Sequence, residues 1–360
     1  MARIVPRLAG CALALAIAAP AFATATPTAE YVFGDSLSDN GNLAEIEGAN
    51  FPNPPSYHDS FTNGPVAAAV LDQALGLPAL TPSLWATGFA DPHNLFGGAS
   101  FVPGTNYAVA GATAAAQAVG GATGINLPQQ VGAYGAMSGG SANPNALYVL
   151  FIGGNDVALA VEQQTGAAAV NAGVTAEVAA VETLLGEGAR DFLVVNVPNI
   201  GATPDFLAAG APASAAATAL SQLYDSELSS ALAALTVPAG ADITQFNLYA
   251  LDQSILANPA AYGFTDTIDP CYLNAPGSAV TSTACGANAQ NISSFAYWNG
   301  FHPTAPVQAI WGRAFASALG ISAVPEPSSW LLLILGFGLV GVMLRGEAAR
   351  ALTVAAERRG

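Results

Sequence analysis

The stretch Tyr31-Val32-Phe33-Gly34-Asp35-Ser36-Leu37-Ser38-Asp39-Asn40-Gly41-Asn42 decides how this chain is read. A short apolar run enters a glycine and then a polar segment. That order fits a buried strand closed by a tight turn, and it places a serine hydroxyl at the end of a sheet. Taken alone, Gly-Asp-Ser is equally well explained as an ordinary turn.

With it, apolar runs at 31–33, 106–109, 147–152, 192–197 and 243–246 read as five buried parallel strands. Helical stripes lie between them. Val170, Val174, Val178, Val181 and Leu185 recur at spacings of three and four, as do several of Leu220, Leu223, Leu228, Leu232 and Leu235. A last helix offers Val307, Ile310, Ala314, Phe315 and Leu319 just after Pro306. Strands alternating with helices define an α/β domain, its parallel sheet covered on both faces. Glycine- and proline-rich stretches at 48–65, 76–105 and 258–290 read as long loops, and no internal repeat is present. Trp85, Phe89, Phe96 and Phe101 make the second of these loops either an apolar acyl-binding wall or a cover for the core.

Ligands of such sheets bind beyond the carboxyl ends of the strands. Gly111 follows the second apolar run, Gly153-Gly154-Asn155-Asp156 follows the third, and Trp298-Asn299-Gly300-Phe301-His302-Pro303-Thr304 precedes the last helix. In this order and placement the motifs resemble the GDSL esterase/lipase family, also called SGNH hydrolases, over almost all of 24–323. Phe61-Thr62-Asn63-Gly64-Pro65 is similar to a family segment as well. The resemblance implies a flavodoxin-like three-layer α/β/α sandwich with a five-stranded parallel sheet, and carboxylic-ester hydrolysis without a cofactor. It implies Ser36 as nucleophile, His302 as general base, and the Ser36 N–H, Gly111 and Asn155 as the oxyanion hole. No serine lies in a Gly-x-Ser-x-Gly sequence, which argues against the ordinary α/β-hydrolase arrangement.

The residue types suit that chemistry. A serine hydroxyl is a weak nucleophile until a base accepts its proton, and histidine titrates in the useful range. Backbone and amide N–H groups answer the charge that develops on the carbonyl oxygen. One position departs from the family pattern: three residues before His302, where aspartate is usual, stands Asn299. An amide can accept a hydrogen bond from imidazole but carries no charge to support imidazolium. Asn299 is therefore the one ground for a second reading, a surface or exopolysaccharide-matrix protein that keeps the scaffold with weak or no catalysis. His58 and His93 fall in loops without a partner pattern, and three histidines without clustered ligands give no reason to expect a metal.

Composition narrows the partners. The 360 residues hold eight arginines, no lysine and a formal charge of −16. No lysine means no P-loop lysine and no Schiff-base lysine, and a strongly acidic chain is repelled by nucleic-acid phosphates. Between 24 and 323 only Arg190 and Arg313 stand against 21 acidic residues, a formal −19. The other six arginines flank the two ends, as targeting segments do.

Arg3 and Arg7, the apolar stretch 8–19 and Ala21-Phe22-Ala23 read as a secretory signal peptide over 1–23. Leu8-Ala9-Gly10-Cys11 imitates a lipobox but precedes the apolar stretch instead of following it. At the other end, Pro325-Glu326-Pro327, a short apolar run over 330–344 and a basic tail make 324–360 resemble the PEP-CTERM sorting signal. An ordinary C-terminal anchor is the alternative, although the run is shorter than the ~20 residues that usually span a bilayer. The resemblance implies export in a Gram-negative bacterium, transient membrane retention through this segment, and cleavage by an exosortase-type enzyme. With the signal removed, Cys271 and Cys285 remain. In an oxidising compartment they most simply pair, the alternative being two buried thiols. The acyl and alcohol parts of the substrate are not encoded in any of these motifs.

Overall fold

The computed structural model describes residues 26–47, 56–85, 102–115, 124–272 and 289–321. The expected signal peptide, the C-terminal sorting segment, Phe89, Phe96, Phe101, His93 and Cys285 lie outside these residues. Four parallel strands form the main sheet in the order β1 (Glu30–Gly34), β2 (Leu147–Phe151), β3 (Asp191–Val195), β4 (Asp242–Phe246). The period-2 geometry of a strand sends alternate side chains to opposite faces. Phe33, Tyr148, Leu150, Phe192 and Val194 bury on one side, while Val32, Leu147, Val149, Phe151, Leu193 and Val195 bury on the other. On β1, β2 and β3 both faces are apolar, which is why these strands read as continuous hydrophobic runs; β4, at the sheet edge, buries none of its residues.

Helices cover each face. α3 (Leu127–Ser138), α4 (Gly154–Glu162), α5 (Ala167–Glu187) and α7 (Ala211–Ala234) supply the first core through residues such as Val131, Val157, Val170, Val181, Tyr224 and Leu228. α2 (Ala67–Leu75), α8 (Leu248–Ala257) and α9 (Ala305–Ala318) supply the second through Leu71, Leu248, Ile255, Val307, Trp311 and Phe315. The valine and leucine stripes read from the sequence are the buried faces of α5 and α7. Two short helices, α1 (Asn42–Glu47) and α6 (Pro204–Ala208), sit at the carboxyl end of the sheet. A second, irregular parallel pair, β5 (Asp266–Pro270) and β6 (Phe295–Tyr297), leads into the loop before α9. Cys271, at the end of β5, is disulfide-bonded.

The strand expected at 106–109 forms only in part. The segment runs along β1, with the Val32 N–H donating to Thr105 O (3.0 Å), Tyr107 N–H to Val32 O (2.8 Å) and Val109 N–H to Gly34 O (3.2 Å). Regular pairing with β1 is confined to Val32 and Asn106. A side chain takes the ladder bond that would come next: Gln130 Oε1 accepts the Gly34 N–H at 2.9 Å, while on the segment's other edge Asn42 Nδ2 donates to Asn106 O and Ala108 O and Asn106 Oδ1 accepts the Ala108 N–H. Counting this edge segment as second in the chain gives the order 2-1-3-4-5 of flavodoxin-like sheets, and its switch point falls between β1 and β2.

Candidate active site

The loops that leave β1 and β2 open at that switch point. Ser36 follows β1 by two residues. Asn155 enters the first turn of α4 behind Gly153, whose φ of 108° is in the left-handed region. A Cβ on Gly153 would sit 2.6 Å from the Tyr224 ring, so both conformation and space require glycine. Gly111 ends the edge segment beside β1. Ser36, Gly111, Asn155 and His302 all line one open cleft of about 430 Å³.

His302 reaches the cleft from the turn between β6 and α9. Its Nε2 lies 2.7 Å from Ser36 Oγ and its Nδ1 lies 2.8 Å from Asn299 Oδ1. Asn299 Oδ1 also accepts the backbone N–H groups of Phe301 (2.9 Å) and His302 (2.8 Å). Two donors that cannot be reversed fix which end of the amide is oxygen. Nδ1 therefore carries the proton, and Nε2 faces the serine as an acceptor. The doubt attached to Asn299 divides in two: the side chain holds the productive tautomer, and what it lacks is charge. Burial pushes the His302 imidazole down to about 4, so it stays neutral at ordinary pH.

Donors for an oxyanion are present on the other side of Ser36. Among the described residues, neither the Ser36 nor the Gly111 N–H is spent on an intramolecular hydrogen bond. Asn155 Nδ2 gives one hydrogen to Ala112 O at 2.7 Å, which orients the amide and leaves its second N–H. Asp39, fully buried, accepts from the N–H groups of Gly41, Asn42, Leu43 and Ala110, tying the serine turn to the Gly111 loop. Asp156 does the same for Ala114 and Ala115.

Of the aromatic residues named in loop 76–105, Trp85 falls among the described residues. Trp85 is buried in the core against Tyr107 and does not line the cleft. Among the described residues, the apolar lining includes Leu37, Leu43, Phe61, Leu159, Ile200 and Phe301. The loop after β3, which carries Ile200, and α6, whose Asp205 packs over Gly300, went unread in the sequence. The rule that ligands sit beyond strand ends would have found the former. His58 is exposed, as its loop position suggested.

Several acids beneath the site are buried. Burial raises Asp35 to about 7, Asp39 and Asp156 to about 6, and Asp252 on α8 to about 7, while Glu30 and Glu177 also lie well above the carboxylate range. A carboxyl whose folded pKa is raised binds its proton more tightly folded than unfolded. Its penalty begins above the unfolded value near 4 and grows until the folded value is passed. His302, lowered to about 4, acts oppositely and costs stability only as pH falls from 6.5 towards 4. The acids outnumber it, and self-repulsion of a chain at −16 weakens in the same direction. The melting temperature is expected to rise as pH falls from 8 to about 5; a flat or falling melting curve over that range contradicts this.

A parallel α/β sheet bearing a linked asparagine, histidine and serine beside free backbone N–H groups has the layout of a serine-hydrolase site. Residues 31–315 match the family model for GDSL-like Lipase/Acylhydrolase, and the chain belongs to that family. It is a carboxylic ester hydrolase by that membership. Residues 323–347 match the PEP-CTERM protein-sorting motif, which marks export, exosortase processing and transient membrane anchoring in Gram-negative bacteria. Similar proteins include two GDSL esterase/lipases of Arabidopsis thaliana. One is 26% identical over 90% of this chain and 98% of its own length. The other is 24% identical over 76% of this chain and 83% of its own. Lipase 1 of Photorhabdus luminescens is 32% identical over 49% of this chain and 23% of its own length.

Proposed function

We propose that this protein is an exported serine esterase that works through an acyl-enzyme on Ser36. The continuous Asn299–His302–Ser36 chain, with links of 2.8 and 2.7 Å, is the observation that carries the reading. Ser36 Oγ attacks the ester carbonyl carbon while His302 Nε2 takes its proton. The oxyanion accepts from the Ser36 and Gly111 N–H groups and from Asn155 Nδ2. Collapse of the adduct breaks the carbon–alkoxy bond, and the alkoxide leaves with the proton from His302. Water then attacks the acyl carbonyl, again giving a proton to His302, and Ser36 is released. Losing one oxyanion donor typically costs about 10²–10³ in rate.

The cleft favours uncharged acyl esters. Its lining is largely apolar, Glu47 and Glu162 are exposed in its walls, and it contains no arginine among the described residues. A strongly anionic substrate would meet no countercharge. With residues 1–23 removed and the sorting motif directing the chain outwards, a lipid ester or an acylated extracellular polysaccharide is the class of substrate within reach. Each methylene buried is worth about 0.8 kcal/mol, or roughly fourfold in binding. On p-nitrophenyl esters, kcat/KM is expected to climb from acetate through the medium chain lengths until the cleft is filled. A profile that peaks at acetate would redirect the reading to acetylated polysaccharide. A purified, folded protein with no turnover of any ester, but with retained glycan binding, would overturn it in favour of a matrix role.

A further inference from the structure

The general base stands on a loop, and loops hold a side chain to catalytic tolerance only when something else packs against them. His302 lies between β6 and α9, and the 56–65 segment contacts that loop on both sides of it. On the near side, Trp298 Nε1 donates to Ser56 Oγ at 3.3 Å. On the far side, Thr62 Oγ1 donates to Pro303 O at 2.9 Å, and the Ala305 N–H donates to Asn63 Oδ1 at 2.7 Å. Thr304, the residue before α9, does not cap the helix, because its hydroxyl is committed to Phe295 O. Asn63 therefore caps α9 from another part of the chain. Gln308 returns the arrangement, with its Oε1 accepting the first N–H of α2, from Ala67, at 2.8 Å. Gly64 is held so close that a Cβ would meet the Ala305 side chain at 2.5 Å. Between these anchors the Phe61 ring lies against the imidazole, its centroid 5.0 Å away and tilted by 39°.

We propose that Phe61, Thr62 and Asn63 are positioning residues for the general base: Thr62 and Asn63 fix the backbone that follows His302, and Phe61 covers its imidazole against water. The inference rests on the reading of His302 as the base. Two things follow from the geometry. Loosening the backbone misplaces Nε2 relative to Ser36 Oγ, which lowers turnover and leaves binding of the ester intact, because about 1 Å of misplacement can cost 10² in rate. Uncovering the ring rehydrates it, which restores the charged form and raises the pH below which activity is lost. The other groups around His302 are Asp35 behind Ser36, Asp205 over Gly300, Asp252 on α8 and Tyr297 on β6. Asp35 and Asp252 titrate near 7, and Tyr297 is pushed up by burial, so an activity limb read below pH 6 reports His302 and not these three. Asp205, and Asp39 and Asp156, which burial raises to about 6 beneath the oxyanion loops, are common to every variant compared, so a shift between variants reports His302.

The test compares Thr62→Val, Asn63→Leu, Asn63→Asp and Phe61→Ala in the purified protein, with His302→Ala alongside. Thr62→Val and Asn63→Leu are expected to lower kcat about tenfold with KM unchanged. Asn63→Asp keeps the accepting oxygen at the helix start and is expected to retain wild-type turnover. Phe61→Ala is expected to move the acid limb of kcat/KM up by about one pH unit. Folded Thr62→Val and Asn63→Leu proteins with wild-type kcat overturn the positioning role, whatever becomes of Phe61→Ala. An acid limb that stays in place in a folded Phe61→Ala protein overturns the covering role. If His302→Ala itself keeps its activity, the base assignment has failed, and that result is separate from either of these.

Discussion

Ser36→Ala and His302→Ala are each expected to lower kcat on p-nitrophenyl butyrate by about 10⁴–10⁶, and the double variant to be no slower than the worse single one. In the subtilisin precedent, removing the serine or the histidine alone costs nearly what removing the whole triad costs. The reason is that the two act as one unit. Without Ser36 Oγ there is no proton for His302 Nε2 to accept, and without Nε2 the hydroxyl 2.7 Å away remains a poor nucleophile. What survives is the contribution of the oxyanion donors and of substrate binding, about 10³–10⁴ over water in the same precedent. The measurement is therefore a double-mutant cycle on initial rates, with melting curves to show that each variant folds. Losses that multiply across the two positions would mean that they act independently and that no shared proton links them. A Ser36→Ala protein keeping more than about a hundredth of the activity would place the nucleophile elsewhere.

The residues in that cycle were legible in the sequence, and the reason is topological. A parallel sheet forces its ligand site to the carboxyl ends of its strands. The positions after β1 and β2, and the loop before α9, could therefore be examined without coordinates. The runs at 31–33, 147–152 and 192–197 marked strands because both faces of the sheet are buried there, whereas β4 at the edge has no buried residue. The exception at 106–109 came from Gln130, whose amide oxygen takes the Gly34 N–H that a regular ladder would use. Periodicity carries no sign of such competition. The role of Trp85 was left open for a related reason. Aromatic residues in a loop look alike whether they face a core, as Trp85 does, or a ligand, as Phe61 does, and only packing separates them. Long-range pairs such as Thr62 with Pro303 and Asn63 with Ala305 join residues some 240 positions apart, and a single sequence has no local signal for them.

Asn299→Asp is expected to raise kcat/KM at pH 8 by about 10- to 100-fold, an unusual direction for a change at a histidine's partner. In the serine-protease precedent, exchanging this aspartate for asparagine costs ~10⁴, attributed to a reversed tautomer. That part of the loss does not apply here. The Phe301 and His302 N–H groups hold Asn299 Oδ1 as an acceptor, and Nδ1 keeps its proton. Only the electrostatic share remains to be recovered, hence a gain well below 10⁴. A carboxylate 2.8 Å from Nδ1 stabilises the imidazolium that forms as Ser36 attacks, and the same interaction raises the His302 pKa from about 4. Two signals should therefore move together: a faster plateau, and an acid limb shifted to higher pH by one unit or more. The exchange carries a stability cost as well. Position 299 is 5% exposed, and Asp205 packs against the neighbouring Gly300, so a new carboxylate enters a buried place near an existing one. The melting temperature is expected to fall while activity rises. An unchanged or lower rate in a folded Asn299→Asp protein would show that charge behind the imidazole is not what limits this site. The His302 base would then be working at full strength with an amide partner alone.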